Sequence, residues 1–401
     1  MARWQAMLQQ PISSVMRGGS WFNSITSSTT AGSQTVSLVT QVAPHIRDGV
    51  NLKWTMNCVL LSLIPSVLFG LYNTGYQANI AMAYLNLQSA PGWRGMLLDA
   101  LHTGYEAPSV VASVAHGLLY LLPAFMVASL VGGFWETIFA RLRKHEATDG
   151  FLVTALLFTL LLPPAAPLWQ VALGISFGIV IGKEIFGGTG KNFLNPTLVG
   201  LAFLHLAYPN EMAGHPLWTN VAGYNGTSIF GAVAAGGMEV LPHQGISWLR
   251  SFAGLQQGTL GATSPLACLL GTAFLIYAGV ASWRIMLSAL IGVIASALMF
   301  NLFASDLGPI FQMPWYWHLT LGSFAFGVVF LATDPASSAM TNTGRWIYGL
   351  LIGFMVVLIR AANPVHPDGV MLAILLGNIF APLIDYFVTK ANIRRRERRS
   401  V

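Results

Sequence analysis

Ten apolar stretches follow one another between residues 54 and 388, at about 54–77, 111–139, 150–163, 167–186, 193–208, 259–281, 284–304, 317–332, 346–361 and 369–388. A helix must supply about 20 mostly apolar residues to cross the hydrocarbon of a bilayer, and its backbone polar groups must be satisfied within the helix itself. Only 8% of the residues are charged, where a soluble domain carries roughly 25%. Together these features exclude an ordinary soluble protein. They predict an all-α integral membrane protein with about ten transmembrane helices. The third, fifth, eighth and ninth stretches are short and several are flanked by Gly and Pro, which predicts broken or re-entrant segments lining a cavity.

The chain carries a formal net charge of +6. Its Lys and Arg are dispersed between apolar stretches and form no patch interleaved with aromatics, so nucleic acid is not an expected partner. With the amino terminus cytoplasmic and all ten stretches crossing, all but three of the 20 Lys and Arg fall on the cytoplasmic side; Arg94, Arg250 and Arg360 fall outside. That asymmetry predicts both termini in the cytoplasm. The organisation expected is a cytoplasmic amino-terminal arm (1–53), a membrane domain (54–388, with an outer loop at about 209–258) and a basic cytoplasmic tail (389–401). The first apolar run of spanning length begins near Trp54, so no cleavable signal peptide is expected. Cys58 and Cys268 both lie in apolar runs and offer neither a disulfide framework nor a metal-ligand spacing.

An internal echo points to two repeats. Trp169, Leu173, Gly174, Phe177 and Gly178 recur as Trp317, Leu321, Gly322, Phe326 and Gly327 with one residue inserted. Polar turns follow each copy, Thr189-Gly190-Lys191 and Thr343-Gly344-Arg345. Repeats of this kind place binding sites at their interface, although two glycine-rich membrane helices also resemble one another by composition alone.

An ionisable group within a bilayer costs several kcal/mol by insertion scales, so each is a candidate for function. Glu136 closes the stretch Val131-Gly132-Gly133-Phe134-Trp135-Glu136, whose glycines admit a second backbone or a planar ligand. Asp334 precedes Pro335, Asp385 follows Pro382, and Glu184 adjoins Lys183. Glu136, Asp334 and Asp385 read either as a cation path or as interfacial helix caps. His116, His205 and His318 are scattered near segment ends and read as satisfied interfacial histidines rather than a metal or heme pair. The most polar stretch is Phe186-Gly187-Gly188-Thr189-Gly190-Lys191-Asn192-Phe193-Leu194-Asn195-Pro196. It fails the P-loop pattern, since Asn192 follows Lys191, yet its glycines, amides and Phe193 suit a heteroaromatic ligand as well as a plain re-entrant turn.

Several of these stretches occur together in order. His45-Ile46-Arg47-Asp48, Gly132 to Glu136, Arg143-Lys144-His145-Glu146, Pro163-Pro164, Leu168-Trp169-Gln170, Phe186 to Pro196, Ala281-Ser282-Trp283-Arg284, Ala332-Thr333-Asp334-Pro335 and Asn363-Pro364 resemble the B-subunit family of sodium-pumping NADH:quinone oxidoreductases. The D component of the Rnf electron-transport complex is similar in the core, but the Gly-Gly-Phe-Trp-Glu and Arg-Lys-His-Glu stretches favour the quinone reductase. The resemblance implies a riboflavin held near Asn192 and Asn195, a ubiquinone substrate near Gly132 and Gly133, and sodium transfer through Glu136, Asp334 and Asp385. It also implies a covalent FMN, but there the chain departs from the family. Tyr224-Asn225-Gly226-Thr227-Ser228 stands where the family has Tyr/Phe-Ser-Gly-Ala-Thr, so Ser228 takes the acceptor position, with Thr227 one step before it. Thr263, in Gly261-Ala262-Thr263-Ser264, is a third hydroxyl to weigh.

The function expected from the resemblance is that of a redox-driven sodium translocase subunit in a bacterial inner membrane, multi-pass, in contact with lipid and quinone. Its partners would be the A, C, D, E and F subunits. No strand-borne GxGxxG is present, so nicotinamide is expected to bind elsewhere in the complex. A flavin-poor paralogue in a related complex and a solute channel on the same repeat scaffold are the alternatives. Colour separates them, because a flavoprotein is yellow.

Overall fold

A computed structural model describes residues 52–90, 92–144, 150–209, 212, 229–302, 309–362 and 369–399. Among these residues there are helices and no strands. The helices are α1 (Leu52–Tyr84), α2 (Trp93–Ala100), α3 (Val110–Arg143), α4 (Gly150–Leu161), α5 (Leu168–Ile179), α6 (Pro196–Ala207), α7 (Ile229–Gly236), α8 (Val240–His243), α9 (Trp248–Ala253), α10 (Pro265–Tyr277), α11 (Trp283–Asn301), α12 (Trp315–Thr320), α13 (Phe324–Phe326), α14 (Asn342–Ala362) and α15 (Val370–Glu397). Every one of the ten expected stretches carries helix. Among the described residues five helices, α1, α3, α11, α14 and α15, are long and apolar enough to cross a membrane, so the ninth stretch, expected to be short, is one unbroken spanning helix, and α4, α6 and α10 are shorter apolar helices. The fold is an all-α, multi-pass membrane fold.

Lipid tails are as apolar as leucine, so helices in a bilayer associate through close packing rather than through expulsion of water. The chain uses glycine for this. A Cβ on Gly117 of α3 would strike the Leu71 carbonyl of α1, and one on Gly353 of α14 would strike the Ala289 carbonyl of α11. Backbones therefore lie in contact at both crossings.

The two echo segments end alike and are built differently. α5 continues without interruption into a π-helical turn, Val180–Glu184, closed by Ile185 N–H donating to the Val180 carbonyl at 3.0 Å. The second segment also ends in a π turn, Gly327–Leu331, closed by Ala332 N–H donating to the Gly327 carbonyl at 2.8 Å. Between α12 and α13, however, the helix is broken: Leu321 is extended and Gly322 has φ +72°. Carbonyls released by a break inside a bilayer need new donors. Arg360 of α14, fully buried, supplies them, donating to the His318 carbonyl at 2.7 Å and the Leu321 carbonyl at 3.0 Å. Ser251 Oγ and Gln256 Nε2 donate to the Thr320 carbonyl at 3.2 and 3.1 Å. Arg360, which the charge asymmetry assigns to the outer side, is an interior donor set opposite the carboxyl end of a short helix, where a cation is favoured.

Two of the expected regions carry further helix. The expected outer loop contains α7, α8 and α9, and the basic tail continues α15 as exposed helix to Glu397. Most of the amino-terminal arm lies outside the described residues.

Candidate functional site

The π turn after α5 places two adjacent charged residues against α3. Lys183 Nζ donates to both Glu136 oxygens at 2.8 Å, and both side chains are almost completely buried. Next to it, Glu184 accepts from Arg143 Nη1 at 2.9 Å, and Arg143 Nη2 also donates to the Glu184 carbonyl. Glu136 and Arg143 are seven residues apart, two helical turns, so they lie on one face of α3. A buried carboxylate or ammonium is tolerated only when paired, and here each has its partner. Trp135 Nε1 donates to Ser176 Oγ at 2.9 Å and ties the same stretch of α3 to α5.

Beyond the π turn the chain reverses through Gly187, Gly188 and Gly190, all at positive φ, a conformation that side chains resist. Asn192 fastens this turn: its Oδ1 accepts from Gly190 N–H at 3.2 Å and its Nδ2 donates to the Leu194 carbonyl at 2.8 Å. Asn195 caps α6, with Oδ1 accepting from Thr197 N–H at 3.0 Å and Pro196 in the first turn, the usual N-terminal signature. Its Nδ2 faces the Asp334 carboxylate at 3.4 Å. Asp334 also accepts from Ser337 Oγ at 3.0 Å and Ala336 N–H at 3.3 Å. Residues following the two π turns thus meet across the repeat interface.

A cavity of about 60 Å³ lies at that meeting point, and Lys183, Asn192, Asn195, Thr154, Thr189 and Asp334 are among the residues lining it. Its polar lining comes from the first repeat on one side and from the Thr333–Asp334 turn on the other. Lys183 is the element that joins the cavity to Glu136.

The remaining expected site residues are placed elsewhere. Gly132 packs against α5, where an added Cβ would stand 2.9 Å from Ile179 Cδ1. Gly133 is buried, and its carbonyl accepts from Thr137 Oγ1 at 2.7 Å. Asp385 accepts from Met340 N–H at 2.6 Å, Thr341 N–H at 3.0 Å and Thr341 Oγ1 at 2.5 Å. It therefore fastens the turn that leads into α14. Thr263 is buried with its hydroxyl accepting from Asn73 Nδ2 at 3.3 Å. Thr227 and Ser228 lie outside the described residues. His116 bonds Asn79 Oδ1 at 2.7 Å, and His205 Nδ1 bonds the Leu201 carbonyl at 2.9 Å. Among the described residues no group of three or more His, Cys, Asp or Glu could hold a metal ion. Sequence reasoning missed the pairing of Lys183 with Glu136, because Lys183 reads most simply with its neighbour Glu184.

Residues 39–394 match the model of the NQR2, RnfD, RnfE family. The chain is 53% identical over 365 residues to the B subunit of the Na(+)-translocating NADH-quinone reductase of Azotobacter vinelandii, covering 90% of each chain. It is equally similar, 53% over 365 residues and 90% of each chain, to the protein of that name from Ectopseudomonas mendocina. Against the protein of that name from Chromohalobacter salexigens it is 49% identical, covering 90% of this chain and 87% of the relative. With a family model spanning nearly the whole chain and relatives at about half identity along its length, the chain belongs to the NQR2, RnfD, RnfE family.

Proposed function

We propose that the chain is the membrane-embedded B subunit of a sodium-translocating NADH–quinone reductase, in which electron passage through flavin to ubiquinone drives outward sodium movement. The observation that carries this reading is the meeting of Asn195 with Asp334 at a polar cavity whose Lys183 is bonded to Glu136. Glu136 and Asp334 are the carboxylates of the ion path, with Asp385 as the third candidate. Gly132 and Gly133 border the quinone. Ser228, then Thr227, are the acceptors of a covalent FMN. The partners are the A, C, D, E and F subunits, lipid and quinone, and the site of action is a bacterial inner membrane with both termini cytoplasmic.

Riboflavin belongs to Asn192 and Asn195 in this reading. The two amides and Thr189 form a donor and acceptor set that suits the polar edge of an isoalloxazine, and the glycine turn lets a ring approach the backbone. When bound, flavin supplies the electron-carrying chemistry, and the chain binds and orients it. Asn192→Ala is expected to reduce the noncovalent flavin retained by the purified complex, at about 1–3 kcal/mol for a buried group left unsatisfied. Full flavin content in that variant would return Asn192 to a purely turn-forming role.

The purified complex tests the whole reading. It should be yellow, reduce ubiquinone with NADH and be stimulated by sodium. The intact chain should carry an FMN-sized adduct that Ser228→Ala removes. A colourless complex without sodium stimulation would favour the solute channel, and a bare polypeptide mass the flavin-poor paralogue. Gly133→Val should raise the quinone KM while NADH oxidation by the input subunit stays intact. Parental quinone kinetics in an assembled complex would remove the glycine pair from the quinone site.

A further inference from the structure

We propose that Lys183 is an internal competitor for the translocated cation: its ammonium occupies the Glu136 carboxylate between turnovers, and a monovalent cation takes that carboxylate only by sending Lys183 into the inter-repeat cavity. The proposal rests on the reading of Glu136 as an ion-path residue and adds the group that controls it. Four observations carry it. Both Glu136 oxygens are engaged by the one ammonium at 2.8 Å, so a cation taking both of them meets the Nζ charge at close range and is favoured only as that charge moves away. Lys183 is also on the wall of the cavity, which provides room of about 60 Å³ for Nζ to enter. Asp334 stands on the same cavity, and its hydrogen-bond partners named above, Asn195, Ser337 and Ala336, are all neutral. Finally, Glu184 is held by Arg143 through both carboxylate and carbonyl, so the π turn stays anchored while the Lys183 side chain moves.

The charges make the exchange one for one. Lys183 balances the Glu136 carboxylate, and a single monovalent cation taking the place of the ammonium balances it equally. A buried carboxylate is costly without a cation, so Lys183 leaves Glu136 only as the ion arrives and returns as it departs. Lys suits this work better than Arg. Its ammonium is a compact point charge on a flexible four-carbon stem, whereas a guanidinium forks rigidly onto a carboxylate.

An internal competitor raises the apparent dissociation constant of the ion by the fraction of time the site is closed. In the assembled complex, Lys183→Gln is therefore expected to lower the sodium concentration for half-maximal quinone reduction at least threefold and to lower maximal turnover, because nothing then helps expel the ion. Lys183→Arg keeps the buried pair, so it assembles even if the Gln variant does not. It is expected to raise the half-saturating sodium concentration at least threefold. A purely structural role predicts no such opposed shifts. Half-saturating sodium that matches the parent in Lys183→Arg, or does not fall in an assembled Lys183→Gln complex, would overturn the exchange. Glu136→Gln with parental sodium dependence would instead remove the ion role of Glu136. Altered dependence in Glu136→Gln alongside parental Lys183 variants would remove the exchange alone.

Discussion

Arg360→Met is expected to cost the chain most of its stability and to leave little assembled complex. The side chain is fully buried, and its guanidinium donates to two carbonyls, of His318 and Leu321, released by the break between α12 and α13. Each buried carbonyl left without a donor costs about 1–3 kcal/mol. The loss compares with the whole stability of many domains, about 5–15 kcal/mol. It also removes the cation–π contact with the Phe230 ring, 4.6 Å from the guanidinium carbon, about 0.5–2 kcal/mol. Thermal unfolding in detergent and the amount of protein in the membrane report the effect. Arg360→Lys should fall between the parent and Met, because an ammonium is less well shaped to hold both carbonyls at once. A Met variant that melts with the parent would mean that Ser251 and Gln256 suffice to hold the break.

Glu136→Gln should have the second large effect, and on two separable quantities. Removing one partner of a buried ion pair costs about 3–5 kcal/mol, since the Lys183 ammonium is left without the carboxylate that holds it. Sodium stimulation of turnover should also weaken, because the carboxylate is the group that replaces the water of a dehydrated cation. Melting measured without substrates isolates the first effect, and half-saturating sodium in the surviving complex isolates the second. A destabilised variant with parental sodium dependence would leave Glu136 as a structural partner of Lys183 only.

Helix positions were readable because the membrane makes a local demand. Each spanning segment must satisfy its own backbone and present apolar side chains around its circumference, so stretches such as 284–304 and 369–388 declare themselves. The Asn195-Pro196 start of α6 was equally legible, since a cap and a first-turn proline act within one helical turn. The expected break in the eighth stretch is present, but its partner was hidden. Arg360 lies 39 residues from the Leu321 carbonyl it binds, and nothing in Val357-Leu358-Ile359-Arg360 distinguishes an interior donor from an interfacial charge.

The candidate site divides in the same way. Composition and order alone mark Glu136, Asp334 and the 186–196 turn, because charges and amides are scarce in an apolar chain and each must be accounted for. Which carboxylate meets which cation follows from the packing of α3 on the π turn. That packing puts Glu136 on Lys183 across 47 residues and gives Glu184 to Arg143 across 41. Elsewhere, Asp385 anchors the 340–341 turn across 45 residues. The sequence by itself determined the membrane class, the helix positions and the list of costly polar groups, since these answer to the solvent and to spacing within one helix. Only the tertiary structure decided how those groups pair. Ion pairs act over a few ångströms between segments that the chain separates by tens of residues, and small-residue helix contacts, invisible to periodicity, set which faces come together.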